Sequence, residues 1–205
     1  MSHNNWLSLD LDIETRKNLH DIAEYIKINC NALFGENVSF EPMKYDDIHM
    51  TAIFIGDKIY ANMHNYNRQS ICTIINSKLI QHYELTYEGY KLFPPNKQNL
   101  IVVTFTCSQK LLERINDIVI IMEKNGFVGL KQLNNFTPHI TLGKIRATKQ
   151  QIDRISQNND LHHIPIMETK SFIMSSLYLC GEISKNKKMC KYEENEFRTL
   201  WKLNI

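Results

Sequence analysis

The sequence predicts an α+β fold, and three observations carry that expectation. Stretches such as Trp6 to Asp12 alternate apolar and polar residues, the period of a strand with one wet face. Other stretches repeat apolar residues every three or four positions, the period of a helix packed on one side. Two apolar, strand-like segments each begin with a histidine followed two places later by threonine: His49-Met50-Thr51-Ala52 and His139-Ile140-Thr141-Leu142.

Taken in order, Trp6 to Asp12 is the first strand. Thr15 to Leu33 places Leu19, Ile22, Ala23, Ile26 and Ala32 at helical spacing, with Asp12 or Thr15 as its cap. Phe34 to Tyr45 reads as a loop, because Gly35 and Pro42 interrupt it. Ile48 to Ile55 is the first histidine strand, and a polar stretch from Asp57 to Asn67 leads to a helix from about Arg68 to His82. Tyr83 to Leu92 and Leu100 to Thr106 are strands joined at the Phe93-Pro94-Pro95-Asn96 turn. Lys110 to Asn125 is the clearest helix: Leu111, Leu112, Ile115, Ile118, Val119 and Met122 form one face, and Asn125-Gly126 stops it. Pro138 to Ile145 is the second histidine strand. Thr148 to Asn158 is a short helix, Phe172 to Cys180 a closing strand, and Ser184 to Lys191 a basic surface turn. Glu193 to Trp201 leads into a last short strand. Each histidine strand follows an amphipathic helix one element back, so residues 1–205 read as a single domain of two similar α+β lobes.

The composition narrows the function. A chain of 205 residues, 43% hydrophobic and 22% charged, has the makeup of an ordinary globular domain with a sizeable core. A net charge of +2 gives no electrostatic case for gripping duplex DNA, though a small anion in a local basic pocket is compatible with it. The five cysteines, Cys30, Cys72, Cys107, Cys180 and Cys190, are scattered and form no C-x-x-C pair, which fits reduced thiols in a cytosolic or nuclear compartment. Met1 to Asn5 lacks the basic-then-apolar pattern of a secretory signal, and the apolar block Ile118 to Met122 is too short to span a bilayer. No histidine, cysteine or carboxylate cluster has metal-ligand spacing, and His162-His163 read as loop residues. There is no phosphate-loop or dinucleotide glycine pattern and no nucleophile elbow.

The two His-x-Thr segments therefore carry the chemistry. Side chains two apart on a strand share a face, so each histidine points with its threonine while the intervening apolar residues face a core. Chance alone places Ser or Thr two positions after one of 8 histidines about once, but His3, His20, His64, His82, His162 and His163 have no such partner. Imidazole moves protons near neutral pH. Two of them on opposite sides of a phosphorus supply the base and the acid that cleavage of a ribose phosphodiester needs, with no metal or cofactor. Threonine hydroxyls can then bond the non-bridging oxygens and hold the developing charge.

These residues resemble the two-histidine (2H) phosphoesterase superfamily, whose LigT-like fold pairs two His-x-Thr/Ser strands. Ile48-His49-Met50-Thr51-Ala52-Ile53-Phe54-Ile55-Gly56 is similar to the first motif, and Thr137-Pro138-His139-Ile140-Thr141-Leu142-Gly143 to the second. The Phe93-Pro94 connection, the Leu111 to Asn125 helix and the Leu177-Tyr178-Leu179 strand follow in the family's order, so the resemblance spans the whole chain. It implies a two-lobed fold in which two antiparallel sheets form a central cleft with helices outside. It also implies His49 and His139 as acid and base, in an order left open, and Thr51 and Thr141 as phosphate ligands. Tyr178 and Phe136 become candidates to stack on a base, and Lys144 to meet a phosphate, with Arg146 and Lys97 as further basic residues nearby.

The branch most similar is the eukaryotic and viral 2′,5′-phosphodiesterase-like one. The resemblance implies cleavage of 2′,5′-linked oligoadenylate or a cyclic dinucleotide such as cGAMP. Its alternatives are a 2′,3′-cyclic phosphodiesterase of RNA or tRNA end processing, and a nucleotide-binding module without turnover. The partner expected is a small nucleotide or short RNA, met by a cytoplasmic monomer without metal, cofactor, duplex DNA or membrane.

Overall fold

A computed structural model describes residues 5–9, 11–54, 83–124, 137–167, 171–174, 176–183, 188–191 and 201–204. Ten strands are present among them: β1 (Asn5–Leu9), β2 (Ser39–Pro42), β3 (Met50–Phe54), β4 (Tyr83–Phe93), β5 (Leu100–Cys107), β6 (His139–Arg146), β7 (Ser171–Met174), β8 (Ser176–Ile183), β9 (Lys188–Lys191) and β10 (Trp201–Asn204). The helices are α1 (Ile13–Ile28), α2 (Cys30–Phe34), α3 (Gln109–Lys124) and α4 (Lys149–Gln157). None of these is long and apolar enough to cross a membrane. The helix expected near 68–82 lies outside the described residues.

All the strand pairs are antiparallel, in the order β10-β8-β1-β3-β6-β5-β4-β7, with β9 beside β8 and β2 beside β6. The fold is α+β, as expected, and its two sheets are the two halves of one continuous ten-stranded sheet. The halves join where β3 meets β6 through a single pair, Met50 opposite Ile140. Further along β6, β2 takes the place of β3 as the neighbour.

One face of the sheet is the core. Leu7 and Leu9 of β1, Met50 and Ala52 of β3, Ile101, Val103 and Phe105 of β5, and Ile140, Leu142 and Ile145 of β6 pack there. The buried stripes of α1 (Leu19, Ile22, Ala23, Ile26) and α3 (Leu111, Ile115, Ile118, Val119, Met122) cover them. Helix α1 starts at Asp12, whose carboxylate accepts from the Thr15 N–H at 2.7 Å and from the Thr15 hydroxyl. Thr148 caps α4 through a reciprocal box with Gln151. The helix expected over Thr15 to Leu33 is divided: α1 ends at Ile28 with Asn29 as its cap, and α2 ends at Phe34, whose carbonyl accepts from Arg154 of α4.

Four expectations are corrected. The loop Phe34 to Tyr45 contains β2, a strand because β6 supplies its ladder despite Pro42. His49 precedes β3 rather than lying inside it, because a 3-10 turn at Tyr45–Asp47 delays the strand. The closing strand is two, β7 and β8, which pair with opposite ends of the sheet. The basic segment Ser184 to Lys191 ends in strand β9, which pairs with β8.

Gly143 is where the β2–β6 contact is tightest. A Cβ there would lie 2.4 Å from the Glu41 carbonyl oxygen and 2.4 Å from Cζ of Phe40. Gly143→Ala is therefore expected to push β2 off β6 and cost about 1–3 kcal/mol by overpacking. Urea denaturation measures it, and an unchanged midpoint would mean that β2 yields freely.

Candidate active site

The two histidines are held in the same way. Nδ1 of His49 lies 2.7 Å from the carbonyl oxygen of Asp47, and Nδ1 of His139 lies 2.7 Å from the carbonyl oxygen of Thr137. Each acceptor is two residues upstream. A carbonyl has no proton to give, so Nδ1 donates in both and Nε2 is the basic nitrogen of each neutral ring. The local chain enforces this geometry: the turn Tyr45–Asp47 and buried Ile48 precede His49, and buried Pro138 precedes His139. The Pro138 carbonyl is tied to the Phe105 N–H at 3.0 Å, which fixes the entry to β6.

Each imidazole also lies against an aromatic ring from another strand. Trp6 of β1 stacks on His49, with centroids 5.2 Å apart and planes 27° apart. Phe93 at the end of β4 meets His139 at 4.4 Å and 37°. Such a ring limits how the imidazole can rotate. Trp6 is buried, and its Nε1 has no hydrogen-bond partner among the described residues.

The register brings the two motifs together. Met50 and Ile140 are fully buried in the core. Alternation along the strands turns Thr51, His139 and Thr141 to the opposite face. Continuing the register by one residue sets His49 opposite Thr141 and Thr51 opposite His139, so each histidine faces the other motif's threonine. The four positions span roughly 5 Å across the strands and 7 Å along them, room for one phosphate group.

The same rows extend across the sheet. Ser8 of β1 lies opposite Thr51, is buried, and donates to the Met50 carbonyl at 3.3 Å. Thr104 of β5 lies opposite His139, is buried, and donates to the Gly89 carbonyl at 3.2 Å. Tyr178 of β8 is in register with Ser8, one strand further from the motifs. Lys144 is exposed on β6, opposite Leu100 on one side and Glu41 on the other. Arg146 is 2.7 Å from Glu41, and this ion pair holds the Glu41 carboxyl below its ordinary range. Lys97 is exposed in the turn after Pro94, and Phe136 lies outside the described residues. Burial pushes the Asp47 carboxyl up, with Lys44 opposing and Asp46 adding to the shift. His162 and His163 sit exposed in a 3-10 turn, apart from the motifs in the fold.

Trp6, Phe93, Ser8 and Thr104 were not among the expected site residues. The signal for the last three is parity: in each strand they occupy the positions that alternate with core residues. Which strands neighbour the motifs is set by long-range pairing, so parity alone could not assign them.

No group of three or more histidine, cysteine and carboxylate side chains suited to a metal occurs among the described residues. No family model matches the chain, and no curated protein matches it in sequence. Solved structures do: the architecture is the LigT-like α+β fold, the one implied by the paired His-x-Thr motifs. TT0787 of Thermus thermophilus superposes with a TM-score of 0.67 at 14% identity, covering 98% of this chain and 97% of that one. LigT of E. coli complexed with 3′-AMP gives 0.58 at 16% identity, covering 99% of each chain. Usb1 of Kluyveromyces marxianus gives 0.52 at 14%, covering 100% of this chain and 98% of that one. Identities this low carry the fold and leave the chemistry to the residues themselves.

Proposed function

We propose that the chain is a 2H-type phosphodiesterase that cleaves ribose phosphodiesters in small nucleotides by two-histidine acid/base catalysis. One observation carries the reading: two imidazoles, each with Nδ1 tied to the carbonyl two residues upstream, stand next to the Met50–Ile140 pair that joins the two His-x-Thr segments. A phosphate seated there lies between two Nε2 atoms. A neighbouring hydroxyl or a water attacks phosphorus and passes its proton to one Nε2. The leaving oxygen takes a proton from the other, already protonated, ring, and the P–O bond breaks. The threonine hydroxyls donate to the non-bridging oxygens.

Among ribose phosphodiesters we favour 2′,5′-linked oligoadenylate or a cyclic dinucleotide such as cGAMP, from the resemblance of the motifs to the eukaryotic and viral branch. The likeness to a LigT structure that holds 3′-AMP fits an adenine nucleotide. We place the activity in the cytoplasm, in a monomer whose residues 1–205 form one domain. Tyr178 and Phe136 are our candidates for base stacking.

The test is turnover of 2′,5′-linked triadenylate, its 3′,5′ isomer, 2′3′-cGAMP and adenosine 2′,3′-cyclic phosphate in EDTA, by wild type and His139→Ala. Cleavage that survives EDTA and vanishes in the variant is the expected result. Consumption of the cyclic phosphate alone would move the role to RNA end processing. Tight binding without any turnover would leave a nucleotide-binding module.

A further inference from the structure

Strand β4 looks onto the second motif from two strands away. Thr141 of β6 lies opposite Val102 of β5, and Val102 lies opposite Lys91 of β4. Their neighbours Ile101, Val103, Tyr90 and Leu92 face the core, so Lys91, Val102 and Thr141 share the other face. Phe93, two residues beyond Lys91 and on the same side, already touches the His139 ring at 4.4 Å. Lys91 thus belongs to the wall of the site, in the same row as Thr141 and, through the continued register, His49.

We propose that Lys91 binds a second phosphate of the substrate, next along the chain from the scissile one, and so selects nucleotides that carry at least two phosphates. The proposal rests on the two-histidine reading of the site. Two strand spacings place the Lys91 backbone about 10 Å from Thr141. The four-carbon stem of lysine then carries its ammonium back over much of that gap. It therefore reaches a phosphate adjacent to one seated between the histidines, rather than the seated one itself.

The resting position of the ammonium fits this task. Lys91 Nζ lies 3.2 Å from Glu88 Oε2, with both side chains about half exposed. Glu88 sits at the bulge of β4, between Tyr87 and Gly89, where the strand re-aims its side chains. The Thr104 hydroxyl and Lys91 hold the Glu88 carboxyl below its ordinary range, so Glu88 stays anionic and keeps the ammonium at the rim. An exposed pair of this kind is weak. A phosphate with more charge and more acceptor oxygens takes the ammonium over. Arg146 is already committed to Glu41 at 2.7 Å, and Lys144 lies three residues along β6 from Thr141, with Glu41 as its partner across β2.

Calorimetric titration of wild type, Lys91→Met and Lys91→Arg with adenosine 3′,5′-bisphosphate and with 3′-AMP tests the assignment. Wild type is expected to bind the bisphosphate the more tightly. Lys91→Met should lose about tenfold for the bisphosphate and less than about twofold for 3′-AMP, and Lys91→Arg should recover most of the loss. Equal losses for both ligands, no loss for either, or a wild type that binds neither or both alike would overturn it. Failure of the two-histidine reading shows itself separately, as wild type that binds nucleotides but turns none of them over.

Discussion

Substituting glutamine for either His49 or His139 is expected to lower turnover by about 10²–10⁴-fold, the usual worth of one positioned proton transfer. Glutamine keeps a donor near the Asp47 or Thr137 carbonyl, so the loss reports the missing Nε2 chemistry and not a collapsed loop. The two losses should not multiply. A base that deprotonates the nucleophile gains little if the leaving oxygen has no acid, so the double variant should sit close to the weaker single one. Each single variant should also lose one limb of the bell-shaped pH–rate profile of the wild type, since each limb reports one of the two proton-transfer groups. Steady-state kinetics across pH measures all of this. Two independent, fully multiplying losses would mean that the imidazoles do not act on one phosphate, and the site would have to be redrawn.

Local periodicity explains how much of this site was legible beforehand. In His139-Ile140-Thr141-Leu142, the two apolar residues can only point into a core, so the alternation alone puts His139 and Thr141 on the other face. The stripes of α1 and α3 are equally local, and their buried residues are the ones the spacing marks. What stayed hidden depends on pairing between distant segments. Ser39–Pro42 is short and contains a proline, and nothing in it announces a strand. It becomes one because β6 runs past the end of β3 and presents an open ladder. Lys188–Lys191 looks like a solvated turn until β8 offers it an edge. His49 stands outside its strand because the turn at Tyr45–Asp47 supplies the carbonyl its ring needs. The rings of Trp6 and Phe93 reach the two imidazoles only once β1 lies beside β3 and β4 two strands away from β6.

The single pair that joins the two halves of the sheet yields the second large effect. Ile140 is fully buried, faces Met50 across the junction and Val103 on its other side, and sits between His139 and Thr141. Ile140→Ala should cost about 2–5 kcal/mol, from lost burial and the cavity left among those neighbours. Ile145, on the same strand, is also buried but lies where β6 pairs with β2, away from the junction. Ile145→Ala should therefore cost a similar amount of stability. The two variants should part company in catalysis. With Ile140 shortened, β3 and β6 lose the contact that sets His49 against Thr141 and Thr51 against His139, and a misplacement of about 1 Å between catalytic groups can cost about 10²-fold. Urea denaturation gives the stabilities, and kcat measured well below both midpoints gives the rates of the folded proteins. Ile140→Ala is expected to be slow and Ile145→Ala near wild type. Equal kcat values would show that the two halves hold their positions without the Met50–Ile140 contact, and that the geometry of the site is set elsewhere in the sheet.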